Sequence, residues 1–384
     1  MPPRVAILSP VPVPYREPLF RSLAERGRVE PHVIYLSASQ GGWDQADSWF
    51  PDPQGYSSEV LRSWQRRRAG RSPVTFARGI GRALRRARPD CVVSTEYGPA
   101  TLRALAWALP RRVPLVVVSE LTPQAHAVLP GPQRRLHRLL APLAAGFVVT
   151  SSRGVERLRT LGVDPSRVEV ALQHADLGPI RAATGTGERD GGPVRVLAVG
   201  RLVPDKALDV LIDAFAAAGF AEGEAELELR GSGPLESDLR FRAERLGVPV
   251  RFGGPAAPGE LGAVYANADV LALVSSYEPF GVTLREGAAA GLPLIASRAA
   301  GAVGDVAVQD ENALVVEPGD RAGLAEALTR MVREPELRAR LAAGSRTVTE
   351  RHPLLADVEA WERAVLGAAR GSRSPEPPPS GTGW

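Results

Sequence analysis

Lysine is almost missing from this 384-residue chain: of its 47 Lys and Arg residues, only Lys206 is a lysine. Cysteine is as scarce. Cys91 stands alone, so no internal disulfide can form and cysteine-based metal clusters are excluded. Residues Met1–Ser9 lack an apolar run of signal-peptide length, and nothing approaches the roughly 20 apolar residues of a membrane span. Aromatics make up 5% of the chain and nowhere interleave along a basic groove, which argues against nucleic acid as a partner. The expected setting is cytoplasmic.

What remains is 44% hydrophobic, enough for two domains of ordinary size. Abundant Ala, Gly, Pro and Arg carry the mark of a GC-rich genome, so the arginine excess by itself says little about function. A surviving lysine says more, because an ammonium is a compact point charge that a planar guanidinium replaces poorly. Charge is unevenly spread. Residues 1–190 carry 27 Arg against 16 Asp and Glu, and residues 191–384 carry 20 basic against 27 acidic residues. The basic first half suits an anionic partner, a membrane surface included. An arginine load set by base composition accounts for it equally well.

Short apolar runs alternate with helical patterns. Strands are predicted at Val5–Leu8, His32–Leu36, Cys91–Val93, Leu115–Val118 and Phe147–Val149. Helices are predicted at Glu17–Arg26, Pro73–Arg88, Pro99–Ala108 and Gln133–Leu140, with residues 39–64 as loop. Such βαβ alternation implies a parallel sheet covered on both faces. The pattern restarts at Val194–Val199 and continues with a helix at Lys206–Ala218, then through strands at Ala225–Leu229, Val250–Phe252, Val270–Val274 and Leu294–Ala296. The expected division is residues 1–184, a linker at 185–192, a second unit at 193–352, a closing helix at 353–370 and a disordered Pro-, Ser- and Gly-rich tail at 371–384. On the helix predicted from Pro73, Phe76, Ile80 and Leu84 recur at i, i+4 and i+8. That stripe fits a membrane-contacting amphipathic helix or ordinary core packing, and core packing is the commoner use.

Three strand-end clusters carry the chemistry. Gly200-Arg201-Leu202-Val203-Pro204-Asp205-Lys206 follows a strand, where open α/β sheets bind ligands; Arg201 and Lys206 suit the two phosphates of a nucleoside diphosphate. In Arg230-Gly231-Ser232-Gly233-Pro234, Gly231 and Gly233 allow close backbone approach to phosphate or ribose, although tight βα turns want glycine anyway. In Glu278-Pro279-Phe280-Gly281-Val282-Thr283-Leu284-Arg285-Glu286, two carboxylates straddle a helix start. The amides of Phe280 and Gly281 lie near its positive end. One carboxylate suits sugar hydroxyls and the other ribose hydroxyls.

Taken together, these clusters and Ala288–Ser297 (AAAGLPLIAS) resemble the GT4-type retaining glycosyltransferases, tightly over 194–319 and loosely before that. The resemblance implies the GT-B fold, two Rossmann-like doubly wound domains facing across a cleft. It also implies sugar transfer from a UDP-, GDP- or dTDP-sugar, with retention of configuration, to a hydroxyl or amine acceptor. By position, it implies Arg201 and Lys206 on the diphosphate, Glu278 on the donor sugar, Glu286 on the ribose, and the backbone of Arg251, Phe252 and Gly253 beside the nucleobase. The terminal helix near Trp361 would cross back onto the first domain. No cofactor is required, and without an Asp-x-Asp sequence no metal is expected.

The chain also departs from the family. Ala207 stands where glycine usually follows the lysine, Gln173-His174-Ala175-Asp176 replaces Asn-Gly-Val-Asp, Ala300-Gly301 replaces Gly-Gly, and Ser119-Glu120 replaces a histidine after the fourth strand. The acceptor side therefore rests on chemistry: Tyr15, Arg16, Glu96, Tyr97 and Glu120 stand at predicted strand ends, with His126 and His174 as further candidates. Rival readings are a sugar-nucleotide hydrolase or epimerase of the same fold, and a non-catalytic sugar-nucleotide-binding or membrane-scaffold protein.

Overall fold

The computed structural model describes residues 1–39, 53–68, 71–173, 175, 177–184 and 191–371. His174, Asp176, the linker residues 185–190 and the tail 372–384 lie outside them.

In chain order the first half contains β1 (Arg4–Ser9), α1 (Glu17–Arg26), β2 (Glu30–Tyr35), β3 (Ser57–Val60), β4 (Ser63–Arg68), β5 (Arg71–Ala77), α2 (Ile80–Ala87), β6 (Cys91–Thr95), α3 (Pro99–Ala108), β7 (Leu115–Ser119), α4 (Pro123–Ala127), α5 (Gly131–Leu140), β8 (Gly146–Val149), α6 (Ser152–Thr160), β9 (Val168–Val170) and α7 (Gly178–Thr184). Seven of these strands form one parallel sheet in the order β3-β2-β1-β6-β7-β8-β9. The second half contains β10 (Val194–Val199), α8 (Leu208–Ala217), β11 (Ala225–Arg230), α9 (Glu236–Leu246), β12 (Val250–Gly254), α10 (Leu261–Ala266), β13 (Val270–Leu273), α11 (Val282–Ala289), β14 (Leu294–Ser297), β15 (Ala313–Val316), α12 (Arg321–Arg333), α13 (Pro335–Arg351) and α14 (Leu354–Gly371). Its parallel sheet runs β12-β11-β10-β13-β14-β15. The fold class is that expected, two Rossmann-like α/β sheets.

Central strands such as Leu115–Ser119 are buried at every position, because helices cover both faces of the sheet. The helix α14 does not stay with the second sheet. It packs Val358, Trp361, Ala364, Val365 and Ala368 into the apolar cluster of Val5, Phe20, Val33 and Val93 on the first.

The helix expected over 73–88 is a correction. Residues through Ala77 belong to β5, which pairs antiparallel with β4, and Phe76 stacks on Trp64 with ring centroids 4.3 Å apart. The helix begins only at Ile80 and turns Ile80, Ala83 and Leu84 into the core. The stripe is therefore not one helix face. Two further corrections concern boundaries. The stretch expected as loop contains β3, an edge strand of the first sheet. Lys206 closes a 3-10 turn, Pro204–Lys206, instead of opening α8. Among the described residues no helix is long and apolar enough to cross a membrane.

Candidate active site

Both sheets have a switch point where strand order reverses, and the carboxyl ends there frame a crevice. In the second sheet that point lies between β10 and β13. The loop from Gly200 to Lys206 follows β10, and Glu278 follows β13, so Lys206 and Glu278, 72 positions apart, are brought together by topology.

A cavity of about 510 Å³ opens there, lined by Gly200, Arg201, Gly231, Gly233, Thr283 and Glu286 from the second half and by Pro14 and Tyr15 from the first. The structure thus places five of the predicted donor-side residues and one predicted acceptor-side residue on a single wall-to-wall space. Arg251, Phe252 and Gly253 do not line it. Phe252 lies under Arg240, the guanidinium 4.3 Å from its ring centre, and the Gly253 carbonyl accepts from Arg230.

Lys206 and Glu278 are joined. The Lys206 ammonium donates to Glu278 Oε2, which Ser275 Oγ also approaches at 3.4 Å. An ammonium has three donors, so this contact leaves it able to serve a phosphate oxygen as well. The stem of the lysine is tightly held, since a Cβ on Gly200 would stand 3.3 Å from Lys206 Cε. Ala207, where the family prefers glycine, sits at φ +48°, in the left-handed region. A non-glycine residue there carries a penalty of about 1–2 kcal/mol, which is the physical reason for the family's glycine.

The glycine-rich turn serves the protein before any ligand. Gly231 has φ +144°, and a Cβ on it would lie 1.9 Å from the Gly200 carbonyl oxygen; one on Gly233 would lie 2.4 Å from that of Leu202. Hydrogen bonds from Gly200 N to Arg230 O (2.9 Å) and from Leu202 N to Ser232 O (2.9 Å) zip the two loops together. Gly301 does the same for Glu278. Its N–H donates to the Glu278 carbonyl at 3.1 Å, and a Cβ would strike the Pro279 carbonyl at 1.9 Å. Phe280 is wholly buried among Leu273, Leu284 and Ala300, so its ring anchors the loop, and Gly281 turns into α11 at φ +96°.

Glu286 is buried and accepts a 2.5 Å hydrogen bond from Tyr265 Oη, a partner that nothing in the sequence signals. Burial pushes the Glu286 carboxyl above its usual range, against the lowering effect of the tyrosine. The folded protein therefore keeps a proton here that the unfolded chain has already released, and the stability owed to this group falls as pH rises above the ordinary glutamate value. We expect Glu286→Gln to gain in melting temperature relative to the wild type as pH rises above the ordinary glutamate value of about 4.3. Thermal melts at rising pH are the check, and a pH-independent difference would show the carboxyl to be well solvated.

On the first sheet, Arg16 and Glu120 form an ion pair at 2.5 Å. Glu96 accepts the Ser119 hydroxyl at 2.9 Å and the Glu120 N–H at 2.6 Å, and its second oxygen lies 3.9 Å from Arg157 Nη1. Burial raises its carboxyl, and Arg157 opposes this. Arg157 is fully buried, donating to Ser119 Oγ at 2.7 Å and meeting His137 Nδ1 at 2.8 Å. His137 is lowered to about 4 by burial and then by that arginine. No local pattern marks Arg157, one of three arginines in α6, as the one that turns inward. Tyr97 is a correction: it is 3% exposed, packed in the core against His137, and does not rim the cleft. His126, half-buried, stacks on His137 with ring centres 5.5 Å apart.

Residues 184–348 match the family description "Glycosyl transferases group 1", and residues 12–171 match "Glycosyl transferase 4-like domain". A glycogen synthase of Mycobacterium tuberculosis (strain ATCC 25618 / H37Rv) is 32% identical over 189 residues, 48% of this chain and 45% of that protein. A D-inositol 3-phosphate glycosyltransferase of Salinispora arenicola (strain CNS-205) is 36% identical over 227 residues, 53% of this chain and 49% of that protein. The chain thus spans about half the length of the curated relatives it matches. Among solved structures, Anabaena Alr3699/HepE in complex with UDP and glucose superposes with a TM-score of 0.73 at 18% identity, over 95% of this chain and 99% of that one. WaaG, a glycosyltransferase involved in lipopolysaccharide biosynthesis, gives 0.67 at 16% identity, over 94% and 100%. These likenesses carry the fold alone, whereas the two family descriptions between them account for nearly all of residues 12–348. With a family description matched in each half and the doubled α/β architecture, the chain belongs to the group 1, GT4-like glycosyltransferases.

Proposed function

We propose that the protein moves a sugar from a nucleoside-diphosphate sugar onto a hydroxyl or amine of a polysaccharide, lipid-linked or secondary-metabolite acceptor, with the retention of configuration that its family resemblance implies. What supports this reading is a cavity at the switch point lined by Arg201 and Glu286, with Lys206 beside Arg201 in an adjoining pocket and donating to Glu278. As the bond from the anomeric carbon to the diphosphate breaks, negative charge builds on the departing phosphate oxygens. Fixed cations and helix-start amides aimed at that charge stabilise it without reorganising. Glu278, on the same ammonium, stands where a sugar hydroxyl would be held beside the phosphate, and Glu286 takes the ribose hydroxyls. Tyr15, facing them across the cavity, belongs to the acceptor side together with the Arg16–Glu120 pair and Glu96.

Anabaena HepE is described with UDP and with UDP-glucose, which makes UDP-glucose the first donor to try, followed by GDP- and dTDP-sugars. Titration calorimetry against this panel, then mass spectrometry of products formed in a cell extract, tests the assignment. Failure to bind any nucleoside diphosphate would overturn it. Sugar release at the same rate with and without acceptors would point to hydrolysis instead. Because no residue of the proposed mechanism needs a metal, EDTA is expected to leave the initial rate unchanged. A rate abolished by EDTA and restored by a divalent cation would contradict that.

A further inference from the structure

Arg285 stands one residue before Glu286 on α11, buried among Leu284, Ala288 and Ala289, where helix periodicity leads one to expect an apolar side chain. It is instead the point where both crossings of the chain between the two sheets meet. The first crossing leaves β9 through Leu172 and Gln173, and Arg285 Nη1 donates to their carbonyls at 3.3 and 3.0 Å. The second runs from α13 through His352 into α14, and Nη2 donates to the His352 carbonyl at 2.9 Å and to Asp357 Oδ2 at 2.8 Å. Asp357 closes the ring by accepting the Leu172 N–H on Oδ1 at 2.9 Å. Both side chains are nearly sealed from solvent, 4% and 6% exposed.

The halves also touch at a second place of opposite character. There Ser152 N donates to Asp305 Oδ2 at 2.8 Å, and Arg153 Nη1 donates to the carbonyls of Arg298 and Ala300 at 2.8 and 3.0 Å. That contact reaches solvent, so water can replace its hydrogen bonds at little cost. At Arg285 the guanidinium and its Asp357 partner are nearly sealed from water, so losing one would leave a buried charge unpaired. One joint is therefore fixed and the other can part.

We infer that Arg285 is a positioning residue: the pivot about which the two domains turn, holding α11, and with it Glu286 and the helix start at Gly281, in one place relative to the first sheet. Its consequence for turnover rests on the donor-site reading above, whereas the pivot itself does not. Only a planar fork can meet four acceptors from two crossings at once.

The test separates pivot from structural filler. Replacing a buried ion pair with apolar residues of similar volume is often neutral to stability, while deleting one partner strands a charge. The variant Arg285→Met/Asp357→Leu strands no charge and is therefore expected to melt above Arg285→Met alone, although below the wild type because the carbonyls of Leu172, Gln173 and His352 lose their donor. Spin labels go on Arg135→Cys and Ser237→Cys, exposed positions in the two halves. Buried Cys91, its thiol pushed up to about 12 by burial, does not compete for the label. The pair-distance distribution should be narrow in the wild type and lose that narrow peak in the double variant. A wild-type width in the folded double variant overturns the pivot. If the double variant does not fold, Arg285→Lys keeps the charge facing Asp357 but has no fork; broadening is again expected, and wild-type width again refutes it. UDP affinity should be the same in all variants. Failure of the wild type to bind UDP would sink the donor-site reading while leaving the distance result to stand.

Discussion

Lys206→Ala should lower the rate of sugar transfer by on the order of 10²–10³-fold in kcat, in a protein that remains folded. Two effects add. The departing diphosphate loses a cation, and Glu278 loses its partner, keeping only Ser275 at 3.4 Å. An unpaired carboxylate beside a phosphate repels it, which deepens the loss. Arginine should not restore the rate. The lysine stem passes within van der Waals range of Gly200, as the 3.3 Å separation from a notional Cβ shows, and a guanidinium is too broad for the ammonium's place. Initial rates with the donor identified by titration, alongside thermal melts, decide the matter. An alanine variant with full activity would remove Lys206 from the mechanism.

The second large effect belongs to Gly231→Ala. Here the loss is of structure first and activity second. The residue is held at φ +144°, and its methyl group would have to share space with the Gly200 carbonyl oxygen, 1.9 Å away. Backbone strain and overpacking each cost on the order of 1–3 kcal/mol. Neither loop can retreat without breaking the hydrogen bonds that zip them together. We expect a lower denaturation midpoint together with weakened nucleotide binding, because the displaced loop carries Gly200 and Arg201. Gly259→Ala is the control. It lines the same cavity but has open space around it, and it should be silent in both measurements. Equal behaviour of the two variants would mean that the loop contact does not hold the site.

Much of this was legible in the sequence for definable reasons. Strands buried on both faces leave unbroken apolar runs, so Leu115–Val118 and Phe147–Val149 announce themselves. Strand-end loops announce themselves too, because close approach admits only glycine at Gly231, Gly233 and Gly301. Edge elements leave no such mark. Strand β3, SSEV, contains one apolar residue, and β4 is half arginine. The false helix at 73–88 arose because Phe76, near the end of β5 and stacked on Trp64, falls by accident at a helical spacing from Ile80 and Leu84, which α2 turns into the core. Charged residues that meet from distant segments are beyond reach of any local pattern. Arg157 with Glu96, Tyr265 with Glu286 and Arg285 with Asp357 are 61, 21 and 72 positions apart in sequence, and only the folded chain introduces them.

The return of α14 to the first sheet also reverses the order in which the protein can finish folding. As the chain leaves the ribosome, strands β1 to β9 appear first, but the apolar surface they build around Val5, Phe20 and Val93 stays uncovered until Val358, Trp361 and Val365 have been made. The second half carries no such debt to a later segment in its main cluster, which closes with Leu337 and Leu341 of α13. Domains tend to fold as units during synthesis. Here the half that emerges second can be complete while the half that emerged first still waits, with its sheet exposed, for the last helix.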